Sequence, residues 1–123
     1  MRALVVDDSA IMRKVLIGAL DRAGIKEVDQ AANGQEAVTA TGNASYDIIL
    51  MDWNMPQMLG IDAVKAIRAT GVKTPIIMVT TEAEKARVVE AIRAGAQNYV
   101  IKPFEPQTIV GKIKDVLGIT SDV

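Results

Sequence analysis

Asp52 closes an apolar run, Ile48-Ile49-Leu50-Met51, and the acidic pair Asp7-Asp8 closes another, Ala3-Leu4-Val5-Val6. Runs that each end in carboxylates predict strands of one parallel sheet opening on a common rim. Three carboxylates gathered there repel one another unless a divalent cation sits among them, since hard cations take oxygen ligands. A cation held at the mouth of a sheet in this way suits phosphate chemistry. Two further runs end in reactive side chains: Pro75–Val79 leads into Thr80-Thr81, and Tyr99–Ile101 into Lys102-Pro103-Phe104. The run Glu27–Ala31, which continues into Ala32, adds nothing of that kind.

Each feature has an ordinary use as well. Asp7-Asp8-Ser9 suits a helix cap. Asp52 with Asn54 and Pro56 suits a turn. Thr80 suits another cap, with Glu82 adding charge at a helix N-terminus. A lone lysine is most often solvated. Their coincidence at equivalent strand ends favours a site, because separate caps need no lysine. The roles then divide coherently. A carboxylate can accept a phosphoryl group as nucleophile, giving an acyl phosphate. Such transfer depends on positioning and charge neutralisation. A cation at Asp8 and Asp52 offsets phosphoryl oxygens, Lys102 adds a point charge, and the Thr80 hydroxyl donates a hydrogen bond. No Gly-x-Gly-x-x-Gly and no phosphate loop ending in Gly-Lys-Ser/Thr is present, so nucleotide binding has little support.

The elements that must position these residues alternate five times between strand-like runs and helical patterns: Ala3–Val6, Glu27–Ala31, Ile48–Met51, Pro75–Val79 and Tyr99–Ile101, each followed by an amphipathic segment. Most of the runs are short, continuous and rich in Val and Ile, as expected of strands buried on both faces. The first helix is read from Ile11 to Ala23, with Ile11, Val15, Leu16 and Leu20 near one face. Gly24, Gly42, Gly71, Gly95 and Gly118 follow helical patterns where left-handed caps are expected. Asn33-Gly34-Gln35-Glu36 resembles a capping box. Gly18 and Gly111 fall inside helical patterns and are read as close-packing points against the sheet. The tail Thr120-Ser121-Asp122-Val123 is expected to fray. Five β-then-α units predict an α/β fold, a doubly wound parallel sheet with helices on both faces. Ligands in such sheets bind beyond the carboxyl ends of the strands.

The 123 residues suit one domain, 1–123. Half are apolar, yet only one Trp, two Tyr and one Phe are present, so the core is aliphatic. The absence of cysteine excludes disulfides and thiol chemistry. The absence of histidine excludes a Ser-His-Asp triad and the usual zinc sets. A net charge of −1 argues against nucleic acid as a partner. The N-terminal apolar stretch is too short for a signal peptide, and no run spans a membrane.

The segments Val5-Val6-Asp7-Asp8-Ser9, Leu50-Met51-Asp52-Trp53-Asn54-Met55-Pro56, Met78-Val79-Thr80 and Val100-Ile101-Lys102-Pro103-Phe104, in this order and spacing, resemble the receiver domain of two-component response regulators. The likeness covers nearly the whole chain and is strongest to the stand-alone chemotaxis members. It implies a flavodoxin-like sheet of order 2-1-3-4-5 with five helices. It implies Asp52 as phospho-acceptor and Mg²⁺ as cofactor. Asp8 would be a direct metal ligand, Asp7 a ligand acting largely through water, and Asn54 a donor of its backbone carbonyl. Thr80 and Lys102 would contact the phosphoryl group, and Lys102-Pro103 would hold a cis bond.

The same resemblance makes Tyr99 an aromatic switch that turns inward as Thr80 moves toward the phosphoryl group. Residues 82–94, 99–101 and 106–117 would form an output face, with Arg87, Arg93, Lys112 and Lys114 around it. Asn54 and Glu82 match the pair found in fast-cycling members and would tune self-dephosphorylation. Thr81 stands where a small Ala is common, and its bulk would restrict access to the phosphoryl group. Leu59 replaces the Asp often found before the glycine at Gly60.

The implied function is a cytoplasmic, phosphorylation-activated signalling switch, a phospho-acceptor rather than an enzyme in the turnover sense. A histidine kinase supplies the phosphoryl group. An output protein such as a flagellar motor switch component responds, a phosphatase is a further partner, and neither nucleic acid nor membrane is engaged. Because the chain stops after its fifth helix, output through protein contact is expected over direct DNA binding. Three alternatives are a receiver cut from a larger response regulator such as a transcription factor, a Mg²⁺-dependent phosphatase or phosphotransferase, and a phosphorylation-independent interaction module. The phosphatase needs a second acid and a substrate-enclosing cap, for which the loops look too short.

Overall fold

The computed structural model describes residues 1–119, so the tail at 120–123 lies outside the described residues. Five strands and five helices alternate: β1 Arg2–Val6, α1 Ala10–Arg22, β2 Glu27–Ala31, α2 Gly34–Asn43, β3 Ile48–Met51, α3 Gly60–Ala69, β4 Ile76–Thr80, α4 Lys85–Ala94, β5 Asn98–Ile101 and α5 Pro106–Leu117. All strand pairs are parallel, in the order β2-β1-β3-β4-β5. Strand periodicity of two divides the core. Leu4, Val6, Ile49, Met51, Ile76 and Met78 face α2, α3 and α4, while Ala3, Val5, Ile48, Leu50, Ile77 and Val79 face α1 and α5. Central strands are buried on both faces, which explains their unbroken apolar runs. The edge strand β2 reads Glu-Val-Asp-Gln-Ala, and its charges suit an exposed edge.

Several expectations shift. The fourth strand runs 76–80 rather than 75–79, because Pro75 has no N–H for the ladder; its carbonyl still accepts from the Ile49 amide at 2.9 Å. Thr80 is therefore the last residue of a strand, and α4 begins at Lys85 after an extended Glu84 rather than at 82. In α1 the buried stripe is Leu16, Ala19, Leu20 and Ala23, whereas Ile11 and Val15 are 78% and 46% exposed. Small alanines let the helix lie close to the sheet on a face that side-chain hydrophobicity alone does not pick. Gly42 lies inside α2 and takes no left-handed conformation; Gly24, Gly71, Gly95 and Gly118 do. A Cβ at Gly18 or Gly111 would meet nothing within 4 Å, so neither is a close-packing point.

Candidate functional site

Strand register builds the site. Val6 pairs with Met51, which sets the next residues, Asp7 and Asp52, side by side, and the Asp52 amide donates to the Val6 carbonyl at 2.9 Å. Thr80 pairs with Ile101, and the Lys102 amide donates to the Thr80 carbonyl at 2.8 Å. Four strand ends thus bring two acids, a hydroxyl and an ammonium to one rim. The Lys102–Pro103 peptide is cis, as the resemblance implied.

Asp7 is held from every side. Its amide donates to the Ala31 carbonyl at 3.1 Å. Oδ1 accepts from the Ser9 amide at 2.9 Å and Oδ2 from Lys102 Nζ at 2.7 Å. Its carbonyl accepts from Arg13 Nη1 at 2.7 Å, and Arg13 Nε also donates to Gln30 Oε1 at 2.9 Å. Ser9 caps α1 through the Met12 amide. The capping use of Asp7-Asp8-Ser9 therefore falls to Ser9, and both aspartates are left for the site. Asp8 is exposed and completes a group with Asp7 and Asp52 in which one oxygen of each lies within 4.8 Å of the others.

Asp52 Oδ1 accepts from the Trp53 amide at 2.7 Å, and Oδ2 lies 3.6 Å from Lys102 Nζ. Burial pushes the Asp52 carboxyl above its ordinary value. The Asp7 charge acts in the same sense, while Lys102, the Trp53 amide and the Thr80 hydroxyl oppose it. Asp7 and Asp52 share one lysine, and Asp8 adds a third carboxylate beside them. This all-oxygen, net-negative set fits a hard divalent cation.

Thr80 is fully buried, and its hydroxyl accepts from the Glu82 amide at 3.3 Å. The Glu82 carbonyl in turn accepts from the Tyr99 hydroxyl at 2.6 Å. Tyr99 packs half-buried against the α2–α4 core, and burial, reinforced by the Glu82 and Asp52 charges, pushes its hydroxyl up to about 12. Asn54 follows in the exposed loop after β3, and Thr81 is exposed beside the rim. Of the four basic residues expected around Tyr99, Arg87 is near enough for its charge to act on the Tyr99 hydroxyl, opposing the effect of burial. It bridges Glu90 at 3.0 Å and stands over the buried Trp53 ring at 5.9 Å. Leu59 occupies the N-cap position of α3 and makes no side-chain capping bond.

The sequence reading passed over three positioning elements. One is Arg13. The second is Gly60, where a Cβ would overlap the Asp52 carbonyl oxygen, so only glycine lets α3 start so close to the site. The third is at the end of β2, where the sequence seemed to offer nothing. Asn33 caps α2 through the Glu36 amide at 2.9 Å and also reaches Gln57 in the loop after β3, with Nδ2 donating to Oε1 at 3.0 Å. The capping box is real but reaches one residue further back, since Glu36 Oε1 accepts from the Ala32 amide. No buried side-chain polar atom among the described residues lacks a partner.

A family model, the response regulator receiver domain, matches residues 3–114. Chemotaxis protein CheY1 of Helicobacter pylori is 46% identical over 121 residues, covering 96% of this chain and 98% of that protein. A chemotaxis protein CheY homolog of Campylobacter jejuni is 46% identical over 124 residues, covering 98% and 95%. Among solved structures, the chemotaxis protein CheY4 of Vibrio cholerae superposes with a TM-score of 0.86 at 39% identity, covering 94% of this chain and 98% of that one.

Proposed function

The chain belongs to the response regulator receiver family, and on that premise we propose that it is a phosphorylation-activated switch of chemotaxis signalling with Asp52 as its phospho-acceptor. A carboxylate oxygen of Asp52 attacks the phosphorus of a phosphohistidine on a kinase. The P–N bond breaks, a P–O bond forms, and the departing imidazole nitrogen keeps the bonding pair and is protonated. Hydrolysis of the acyl phosphate later restores the carboxylate. Lys102, already 3.6 Å from Asp52 Oδ2, neutralises a phosphoryl oxygen. The buried Thr80 hydroxyl donates to another. Asp7, Asp8, Asp52 and the main-chain carbonyl of Asn54 would hold Mg²⁺, which supplies further positive charge to the phosphoryl oxygens when bound.

The route outward runs through Glu82. Its amide donates to Thr80 and its carbonyl accepts from Tyr99, so a Thr80 drawn toward a phosphoryl group pulls on the segment that the Tyr99 hydroxyl grips. Tyr99, α4 and α5 then form the face read by an output protein such as a flagellar motor component, and Glu82 with Asn54 tunes the lifetime of the phosphorylated state. A phosphatase partner fits the same cycle. The cycle is assigned to the cytoplasm as part of this reading; among the described residues no helix is long and apolar enough to cross a membrane. The absence of a nucleic-acid partner is supported by the net charge of −1.

One observation carries this reading: parallel register sets Asp52 between Asp7 and Lys102, with a buried threonine on the neighbouring strand end. Trp53, the sole tryptophan, adjoins the acceptor and reports on it. Its emission is expected to change on adding Mg²⁺ and again on adding beryllofluoride, with the second change lost in Asp52→Asn. A silent Trp53, together with no phosphate on Asp52 by mass spectrometry after treatment with a small acyl phosphate, would sink the proposal.

A further inference from the structure

The loop between β3 and α3 bears Asn54 and is fastened at two places. At its neck the Gly60 amide donates to the Trp53 carbonyl at 2.8 Å. At its tip Pro56, Gln57 and Met58 form a three-residue turn in which the Met58 amide donates to the Pro56 carbonyl at 2.8 Å. Gln57, at its centre, has φ of 69°. A positive φ at a residue with a long side chain, in a turn closed by an i to i+2 bond, is the uncommon and strained form of γ-turn. Such strain persists where surrounding structure over-determines it.

The surroundings that do so come from the start of α2. Asn33 Nδ2 donates to Gln57 Oε1 at 3.0 Å, and the Gly34 amide donates to the Met58 carbonyl at 3.3 Å. Asn33 is buried, with its Oδ1 already committed to the Glu36 amide, so its amide group points one way. A Cβ on Gly34 would come within 2.7 Å of the Met58 carbonyl oxygen, so the backbones approach as closely as glycine permits. Met58 also packs its side chain on the core beside α2, so the helix start and the loop tip are held together by backbone, side-chain amide and apolar contact.

We propose that the Asn33–Gln57 clasp positions the loop after β3 for metal binding, making Asn33 and Gln57 positioning residues for the Asn54 carbonyl. The inference rests on the reading above, in which that carbonyl and the three carboxylates hold Mg²⁺. A carbonyl ligand contributes only if its loop is already in place. Otherwise ordering the loop draws on the binding free energy. The metal affinity of this site is thus set partly from β2, a strand that brings no ligand of its own.

The test is a MgCl₂ titration of the full chain, followed by Trp53 emission, on wild type, Asn33→Ser, Gln57→Met and the double variant, with a thermal melt of each without metal. Serine keeps a side-chain cap on α2 but is too short to reach Gln57. Methionine keeps the length of Gln57 without an acceptor. Each single change is expected to raise the Mg²⁺ dissociation constant about tenfold. The double variant should bind no more weakly than the weaker single one, because both changes break the same Asn33–Gln57 contact. Dissociation constants within about twofold of wild type, or two losses that multiply, would overturn the clasp. So would variants that melt earlier yet bind Mg²⁺ unchanged, since that is what a purely structural contact produces. A wild type with no Mg²⁺ response would instead count against the metal-dependent switch itself, which keeps the two failures apart.

Discussion

The two ends of the sheet carry similar residues at opposite degrees of burial. At the amino end Asp29 accepts from both Arg2 Nη2 and the Tyr46 hydroxyl, each at 2.7 Å, and Asp47 accepts from the Arg2 amide at 2.8 Å. Arg2 also lies over the Tyr46 ring at 5.5 Å. Every polar group in that cluster has a protein partner, and the Arg2–Asp29 pair stays about 40% exposed. At the carboxyl end the buried Asp7 and Asp52 share a single lysine, with Asp7 only 1% exposed and Asp8 beside them in solvent. An exposed cluster whose carboxylates each have a protein donor costs little and does little. A buried excess of one sign costs stability, and it persists where something else is meant to supply the missing charge. The contrast singles out the carboxyl end as the place where added positive charge fits.

The sharpest way to test the contrast is to remove the excess. Asp52→Asn should abolish phosphate uptake and at the same time raise the melting temperature at neutral pH without Mg²⁺. The sign follows from the carboxyl's raised position. The folded chain holds the Asp52 proton to higher pH than the unfolded chain. Stability therefore falls as pH rises through the interval from the ordinary carboxyl value up to the raised one. The asparagine variant should show less of that fall. A melt that shifts downward would mean the carboxylate is better satisfied than its burial implies.

Removing the cation that pairs with both buried carboxylates is the next largest change. Lys102→Met leaves Asp7 buried without its 2.7 Å partner and should cost about 3 kcal/mol in a urea unfolding curve. Mg²⁺ should recover much of that loss, since it replaces positive charge at the same place. At the other end, Arg2→Ala should cost below about 1 kcal/mol and leave both the Mg²⁺ response and phosphate uptake at wild-type levels. If Arg2→Ala disturbed the metal response, the two rims would be coupled through β1 and their separation would be lost.

Much of this was legible in the residue order. Continuous apolar runs read correctly as doubly buried strands because β1, β3 and β4 have no solvent face to alternate with. Acids, a threonine and a lysine read correctly as rim residues because parallel strands all end on one side. Helix faces were less legible. Ile11 and Val15 looked like core and are exposed, since proximity to the sheet is set by Ala19 and Ala23, whose small size hydrophobicity scoring underrates. Glycine roles divided in the same way. Left-handed caps follow from local punctuation, but Gly34 and Gly60 matter through backbones eight or more residues away, and no local pattern announces such a contact. The Arg13–Gln30 and Asn33–Gln57 contacts escaped for that reason too: their partners lie on other βα units, so only the folded register brings them together.

Trp53 faces two neighbours through two different parts of itself. Its main-chain amide touches the Asp52 carboxylate, and its ring lies beneath the Arg87 guanidinium of α4. In optical terms the molecule has one indole chromophore with two inputs. Charge arriving on Asp52 alters the field along one side of the ring system. Any displacement of α4 removes or returns a cation above its face. A time-resolved emission trace therefore superimposes a chemical event and a helix movement in one signal. Replacing Arg87 silences the second input and leaves the first.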